Sequence, residues 1–90
     1  MAIGLMFTAT GVTQAQYDQV RKELHPDNKT PAGMQYHAAG PSAEGWRVVE
    51  VWDSQEAADD YFKTKLGAAL EKANISVLPD VFTVHNTMKA

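Results

Sequence analysis

The sequence predicts one α+β domain over residues 1–90, with the element order β-α-β-β-α-β. Three observations predict it. Apolar residues alternate over residues 2–10, 33–40, 46–52 and 81–87, the period of a half-buried strand. They recur at helical spacing over residues 14–24 and 55–73. Turn-forming residues gather between these runs, at 26–32 and 41–45, so that strand–helix–strand occurs twice.

The first strand, residues 2–10, puts Ile3, Leu5 and Phe7 on one side and Gly4, Met6 and Thr8 on the other. Gly11 breaks it. Thr13 opens the first helix, and Gln16 three residues later completes a capping box. Tyr17, Val20 and Leu24 lie on one face of that helix; Asp18, Arg21 and Lys22 face water. Pro26 stops it at Leu24 or His25. His25-Pro26-Asp27 imitates the chaperone-activating tripeptide of J-domains, but strands rather than a further helix follow, so it is read as helix-stop chemistry.

Gly33 to Gly40 form the second strand, with Met34 and Tyr36 on one face and Gln35 and His37 on the other. Trp46 to Trp52 form the third. Trp46, Val48, Glu50 and Trp52 share one face, and Arg47, Val49 and Val51 share the opposite one. Both faces are apolar, so this strand is central. Asp53 and Ser54 are N-cap candidates for a second helix over residues 55–73, with Glu56 at the positive end of its dipole. Its inner stripe is Ala58, Tyr61 or Phe62, Leu66, Ala69, Leu70 and Ala73. The last strand, Val81 to Thr87, sets Phe82 and Val84 opposite Val81, Thr83 and His85.

This order is the ferredoxin-like plan: an antiparallel four-stranded sheet with both helices on one face and the first strand between the third and fourth. Met34 and Tyr36, with Val49 and Val51, are expected under the helices. The uncovered face then carries Trp46, Val48 and Trp52, too apolar for a monomer. A second copy packed sheet to sheet would cover it, with Trp46 in the interface. On the same assignment His37, Glu50, Trp52, Thr83 and His85 point into the space between the two sheets.

Charge and composition narrow the function. Lys plus Arg is 8 against 11 for Asp plus Glu, a formal charge of −3 that argues against nucleic acid. The chain has no cysteine, so disulfides, thiolate metal sites and cysteine nucleophiles are excluded. No apolar run is long enough for a bilayer, and the start of the chain lacks a basic n-region, so a cytoplasmic protein without membrane contact is expected. No Gly-rich dinucleotide loop occurs, and neither flavin, haem nor stoichiometric metal is expected.

The run Gly33-Met-Gln-Tyr-His37-Ala-Ala-Gly-Pro41, then Gly45-Trp46-Arg-Val-Val-Glu50-Val-Trp52-Asp-Ser54-Gln-Glu56-Ala, then Tyr61-Phe62 and Leu66, resembles the small dimeric α/β-barrel proteins. Within them it resembles the antibiotic-biosynthesis-monooxygenase-like branch. The resemblance implies a homodimeric barrel that binds a small hydrophobic or aromatic ligand. It implies a cofactor-independent monooxygenase, or a related enzyme on a small aromatic or polyketide-like compound, as one outcome. It gives Trp52 the place of the pocket tryptophan; Val48 stands where the antibiotic-type oxygenases have an asparagine. Haem-degrading members carry an axial histidine on the second helix, and residues 55–73 hold none.

Read from the residues, a buried Glu50 beside His37 can exchange a proton with a bound phenol or enol, with His85 a second candidate base. Trp52 and Thr83 are the candidate ligand contacts. The same His37–Glu50 pair also satisfies two buried polar groups without chemistry. His37, Glu50 and His85 would make a two-histidine, one-carboxylate metal set only if the fold converged them. The alternative function is a non-catalytic dimeric binding or assembly module with a packed barrel. A cavity of about 300 Å³ or more lined by His37, Glu50 and Trp52 would favour ligand chemistry; a closed space would favour the module.

Overall fold

The computed structural model describes all 90 residues. Its elements are β1 (Ile3–Ala9), α1 (Gln14–Leu24), β2 (Met34–Ser42), β3 (Gly45–Trp52), α2 (Gln55–Tyr61), a π-helical turn (Phe62–Leu66), α3 (Gly67–Lys72) and β4 (Asp80–Thr83). The strands form one antiparallel sheet in the order β2-β3-β1-β4, the ferredoxin-like arrangement. No helix is long and apolar enough to cross a membrane.

Local chemistry sets the ends of the elements. The Thr13 hydroxyl accepts from the Gln16 N–H at 3.2 Å, and the Gln16 side chain accepts from the Thr13 N–H at 2.9 Å. This reciprocal cap satisfies two of the free donors at the start of α1. Ser54 caps α2 through the Ala57 N–H.

The helices cover the face of Ile3, Leu5 and Phe7. These pack with Met34 and Trp52 against Ala58 and Tyr61 of α2. Val20 of α1 meets Ala69 and Ala73 in a second cluster that joins the helices. The strand register puts the other inner residues on that same face. Leu5 is opposite Glu50, Phe7 opposite Val48 and Ala9 opposite Trp46. Trp46, Val48, Glu50 and Trp52 therefore lie under the helices, not between two sheets.

That overturns the expected facing: β3 runs in unbroken register with β1, so its inner face follows that of Ile3, Leu5 and Phe7, and on β2 a β-bulge reverses Tyr36 and His37. Along β2, Met34 pairs with Trp52 but Tyr36 pairs with Val51, so Gln35 is extra. A bulge puts two residues against one and resets the alternation. Met34 and His37, three apart, thus share the helix face, while Tyr36 turns to the open face. The open face carries Met6, Tyr36, Val49, Val51 and Phe82, with the Phe82 ring lying across Gly4. Trp46 is not on it.

A second irregularity settles which aromatic of the second helix points inward. The inner positions Tyr61 and Leu66 are five apart, one step too many for an α-turn. The chain inserts a π-turn there, and the Gly67 N–H bonds the Phe62 carbonyl five residues back. Tyr61 is buried and Leu66 half-buried, whereas Phe62, Lys63, Thr64 and Lys65 face outward.

Candidate active site

The site lies between the sheet and the helices and starts from a cross-strand pair. His37 on β2 stands opposite Glu50 on β3. His37 Nδ1 is 2.9 Å from Glu50 Oε2. A carboxylate has no hydrogen to donate, so Nδ1–H is the donor, and in the neutral imidazole Nε2 is then the acceptor. Tyr17, from the first turn of α1, reaches Nε2 with its hydroxyl at 2.7 Å and donates to that acceptor. The order Glu50–His37–Tyr17 repeats the logic of a carboxylate that fixes an imidazole tautomer for a hydroxyl partner.

Glu50 is 4% exposed and would be costly to bury unpaired. Its second oxygen, Oε1, accepts the Trp52 indole N–H at 3.0 Å. Both carboxylate oxygens are therefore committed. The His37 side chain keeps 30% of its surface, so it links the buried acid to the accessible space above.

A second dyad shares that space. His25, at the end of α1, and Tyr61, at the end of α2, meet at 2.6 Å between His25 Nε2 and Tyr61 Oη. Burial pushes the Tyr61 phenol up to about 12, with Glu50 and then Tyr17 adding to the shift. Burial likewise raises the Tyr17 phenol; Arg21 opposes that, and Glu50 and Asp18 reinforce it. Burial lowers His25, and nearby His37 lowers it further. Both tyrosines therefore remain protonated donors at neutral pH.

These groups border a cavity of about 190 Å³. Tyr17, His25, His37, Glu50 and Tyr61 supply its polar wall, and residues such as Phe7, Val20, Trp46 and Val48 its apolar one. The Tyr17 ring packs on Trp46 at 5.4 Å between centroids. Arg21 and Lys29 are the cations that border it. A second recess of about 300 Å³ lies beyond Tyr61 and Leu66, and Glu50 and Trp52 line it.

The structure thus brings together two of the five residues singled out in the sequence around one cavity. His37 and Glu50 line it. Trp52, 1% exposed, sits behind Glu50 and opens only on the second recess. No single cavity holds all three, and the one with His37 is smaller than the expected 300 Å³. Thr83 and His85 line neither space, and both are exposed. β4 ends at Thr83, so His85 lies past the strand and the set of two histidines and a carboxylate does not converge. By sequence alone Tyr17, Tyr61 and His25 are core or helix-stop residues. The one signal that pointed to them is that each carries a polar atom on an otherwise apolar helix face.

Solved structures share this fold from end to end. One is a protein of Chloroflexus aurantiacus provisionally assigned as an antibiotic biosynthesis monooxygenase, with a TM-score of 0.69 and 12% identity over 99% of this chain and 98% of that one. Another is a dimeric ferredoxin-like protein of unknown function from Thermobifida fusca, at 0.68 and 20% over 93% and 92%. A third is SnoaB, a cofactor-independent oxygenase of Streptomyces nogalater, at 0.64 and 13% over 99% and 96%. At such identities the likeness is one of fold. No family model matches the chain, and no curated protein matches it by sequence.

Proposed function

We propose that the chain is a cytoplasmic homodimer that binds a one- or two-ring phenol or enol between sheet and helices, and that Glu50, His37 and Tyr17 take a proton from it. The direction of the relay carries this reading. With Nδ1–H held by Glu50, His37 Nε2 is free to accept from Tyr17. A ligand hydroxyl against Tyr17 Oη gives up its proton as Tyr17 passes its own to His37. An apolar cavity of about 150 Å³ accommodates benzene. A cavity of about 190 Å³ therefore suits one or two rings rather than a larger polyketide.

The electron-rich anion so formed reacts with O₂ directly. Oxygen adds at a ring or enol carbon that carries hydrogen, and the hydroperoxide loses water to leave a carbonyl. No cofactor is consumed, in keeping with the activity that SnoaB is named for. The small cavity, separated from Trp52, favours a second reading, a dimeric module without turnover. Titration with 2-naphthol and 1,4-dihydroxynaphthalene, followed by tryptophan fluorescence and oxygen uptake, separates the two. Saturable quenching with uptake above the spontaneous rate is expected. Absence of both at millimolar ligand would leave the module.

Dimerisation is supported by the open sheet face, where Tyr36 is 56% and Phe82 49% exposed beside Val49 and Val51. Apolar faces of this kind mark association surfaces. Sedimentation equilibrium is expected to give twice the 9.9 kDa chain mass. Tyr36→Asp should weaken the dimer about 100-fold or more by burying an unpaired charge. A protein that is monomeric before mutation would remove this part of the reading.

A further inference from the structure

The geometry points to His25–Tyr61 as a second, electrophilic dyad in the same cavity: Tyr61 donates a hydrogen bond to the ligand oxygen on which negative charge accumulates, and His25 positions and supports that phenol. The inference rests on the reading of the cavity as a ligand site, and it adds a role that neither Glu50 nor His37 can fill.

The argument begins from the difference between the two dyads. Both are a tyrosine hydroxyl against a histidine Nε2, at 2.7 Å for Tyr17–His37 and 2.6 Å for Tyr61–His25. Only the first has a carboxylate behind the ring. Glu50 fixes His37 as an acceptor and so makes Tyr17 a proton inlet. His25 Nδ1 has no side-chain partner, so nothing locks its tautomer. With Nε2–H toward Tyr61, His25 becomes the donor, and the Tyr61 O–H is released toward the cavity. One dyad is wired to accept a proton; the other is free to donate a hydrogen bond.

The setting agrees with that polarity. Tyr61 is 8% exposed and its ring is braced between Trp52, at 5.3 Å, and His25, at 5.8 Å. A donor held this way needs little reorganisation when charge develops beside it. The charged groups that face the cavity are Glu50, Arg21 and Lys29, with Asp27 and Lys65 near His25. Two cations thus border a pocket in a chain of net charge −3, which favours a ligand that becomes an anion.

The step balances within the site. The ligand O–H or enolisable C–H bond breaks, and its proton passes to Tyr17 Oη while the Tyr17 proton moves to His37 Nε2. The electron pair left behind is delocalised onto the ligand oxygen that Tyr61 holds. Neither oxidant nor reductant enters. The ligand class follows: a compact ring or enol with one group to deprotonate and a conjugated oxygen to carry the charge.

The test uses 4-nitrophenol, whose phenolate absorbs apart from the phenol, so that the ionisation of the bound molecule is read directly. Tyr61→Phe should raise the pKa of bound 4-nitrophenol by about one unit, a tenfold loss of phenolate stabilisation. His25→Gln should shift it the same way by less, because it acts only through Tyr61. The Tyr61→Phe shift should persist in a His37→Asn background, which separates the donor from the base. Circular dichroism of each variant checks the fold, and His25→Gln leaves the buried Tyr61 ring in place should Tyr61→Phe unfold. If the unmodified protein fails to bind 4-nitrophenol, the ligand-site reading falls and this inference with it. Binding with a pKa that neither Tyr61→Phe nor His25→Gln moves would overturn the inference alone.

Discussion

His37→Asn is expected to lower oxygen uptake with 1,4-dihydroxynaphthalene by roughly 10²–10⁴ while leaving the fold intact. Asparagine is chosen because its amide N–H can take the place of Nδ1–H on Glu50 Oε2, so the buried carboxylate keeps its partner. What asparagine lacks is the acceptor at Nε2 to which Tyr17 now donates. Glu50→Gln makes the complementary change. Its amide group would donate to Nδ1, the imidazole would carry its hydrogen on Nε2, and the relay would run backwards. Inverting a histidine tautomer through its carboxylate partner has cost about 10⁴ in turnover in a serine protease. A large loss in both variants at unchanged melting temperature supports proton transfer. Loss of stability with unchanged turnover would mean that the pair only satisfies buried polar groups.

Trp52→Phe should be the most destabilising conservative change in the chain, by about 2–4 kcal/mol. Trp52 is the one large side chain that is fully buried. Phenylalanine leaves a void beside Tyr61, and it removes the N–H that Glu50 Oε1 accepts at 3.0 Å. The second loss strands half of a carboxylate with 4% exposure. For a domain of 90 residues this corresponds to a fall in Tm of roughly 10–30 °C. Trp46→Phe is the control, since the Trp46 Nε1 has no acceptor to lose. Equal losses from the two changes would show that ring volume alone matters and that the bond to Glu50 contributes little.

The element order and the His37–Glu50 pairing were legible because they depend on local signals. The capping box at Thr13 and Gln16, Pro26 after α1, and the alternation over residues 46–52 each act over a few residues. Facing was not legible: both faces of β3 are apolar, so its alternation does not say which one the helices cover, and on β2 facing depends on strict counting. One extra residue at Gln35 breaks the count between Met34 and His37, and no composition cue marks it. The π-turn hides in the same way. The choice between Tyr61 and Phe62 stays open in the sequence until the five-residue step to Leu66 is seen to be absorbed by the backbone. His85 was misplaced because the last strand ends four residues earlier than its alternation suggests.

The bulge at Gln35 makes this site tolerant of a change in chain length. Met34 already pairs with Trp52, Tyr36 with Val51 and His37 with Glu50. Those three pairs are what an unbroken ladder would contain if the Gln35 codon were missing. Its loss would forgo the Gln35 amide bond to Asp53 Oδ1 and some local bend, and would leave the imidazole over the same carboxylate. Descendants of one ancestral strand that differ by a codon here would keep a common chemistry, yet an ungapped comparison would set their histidines one place apart.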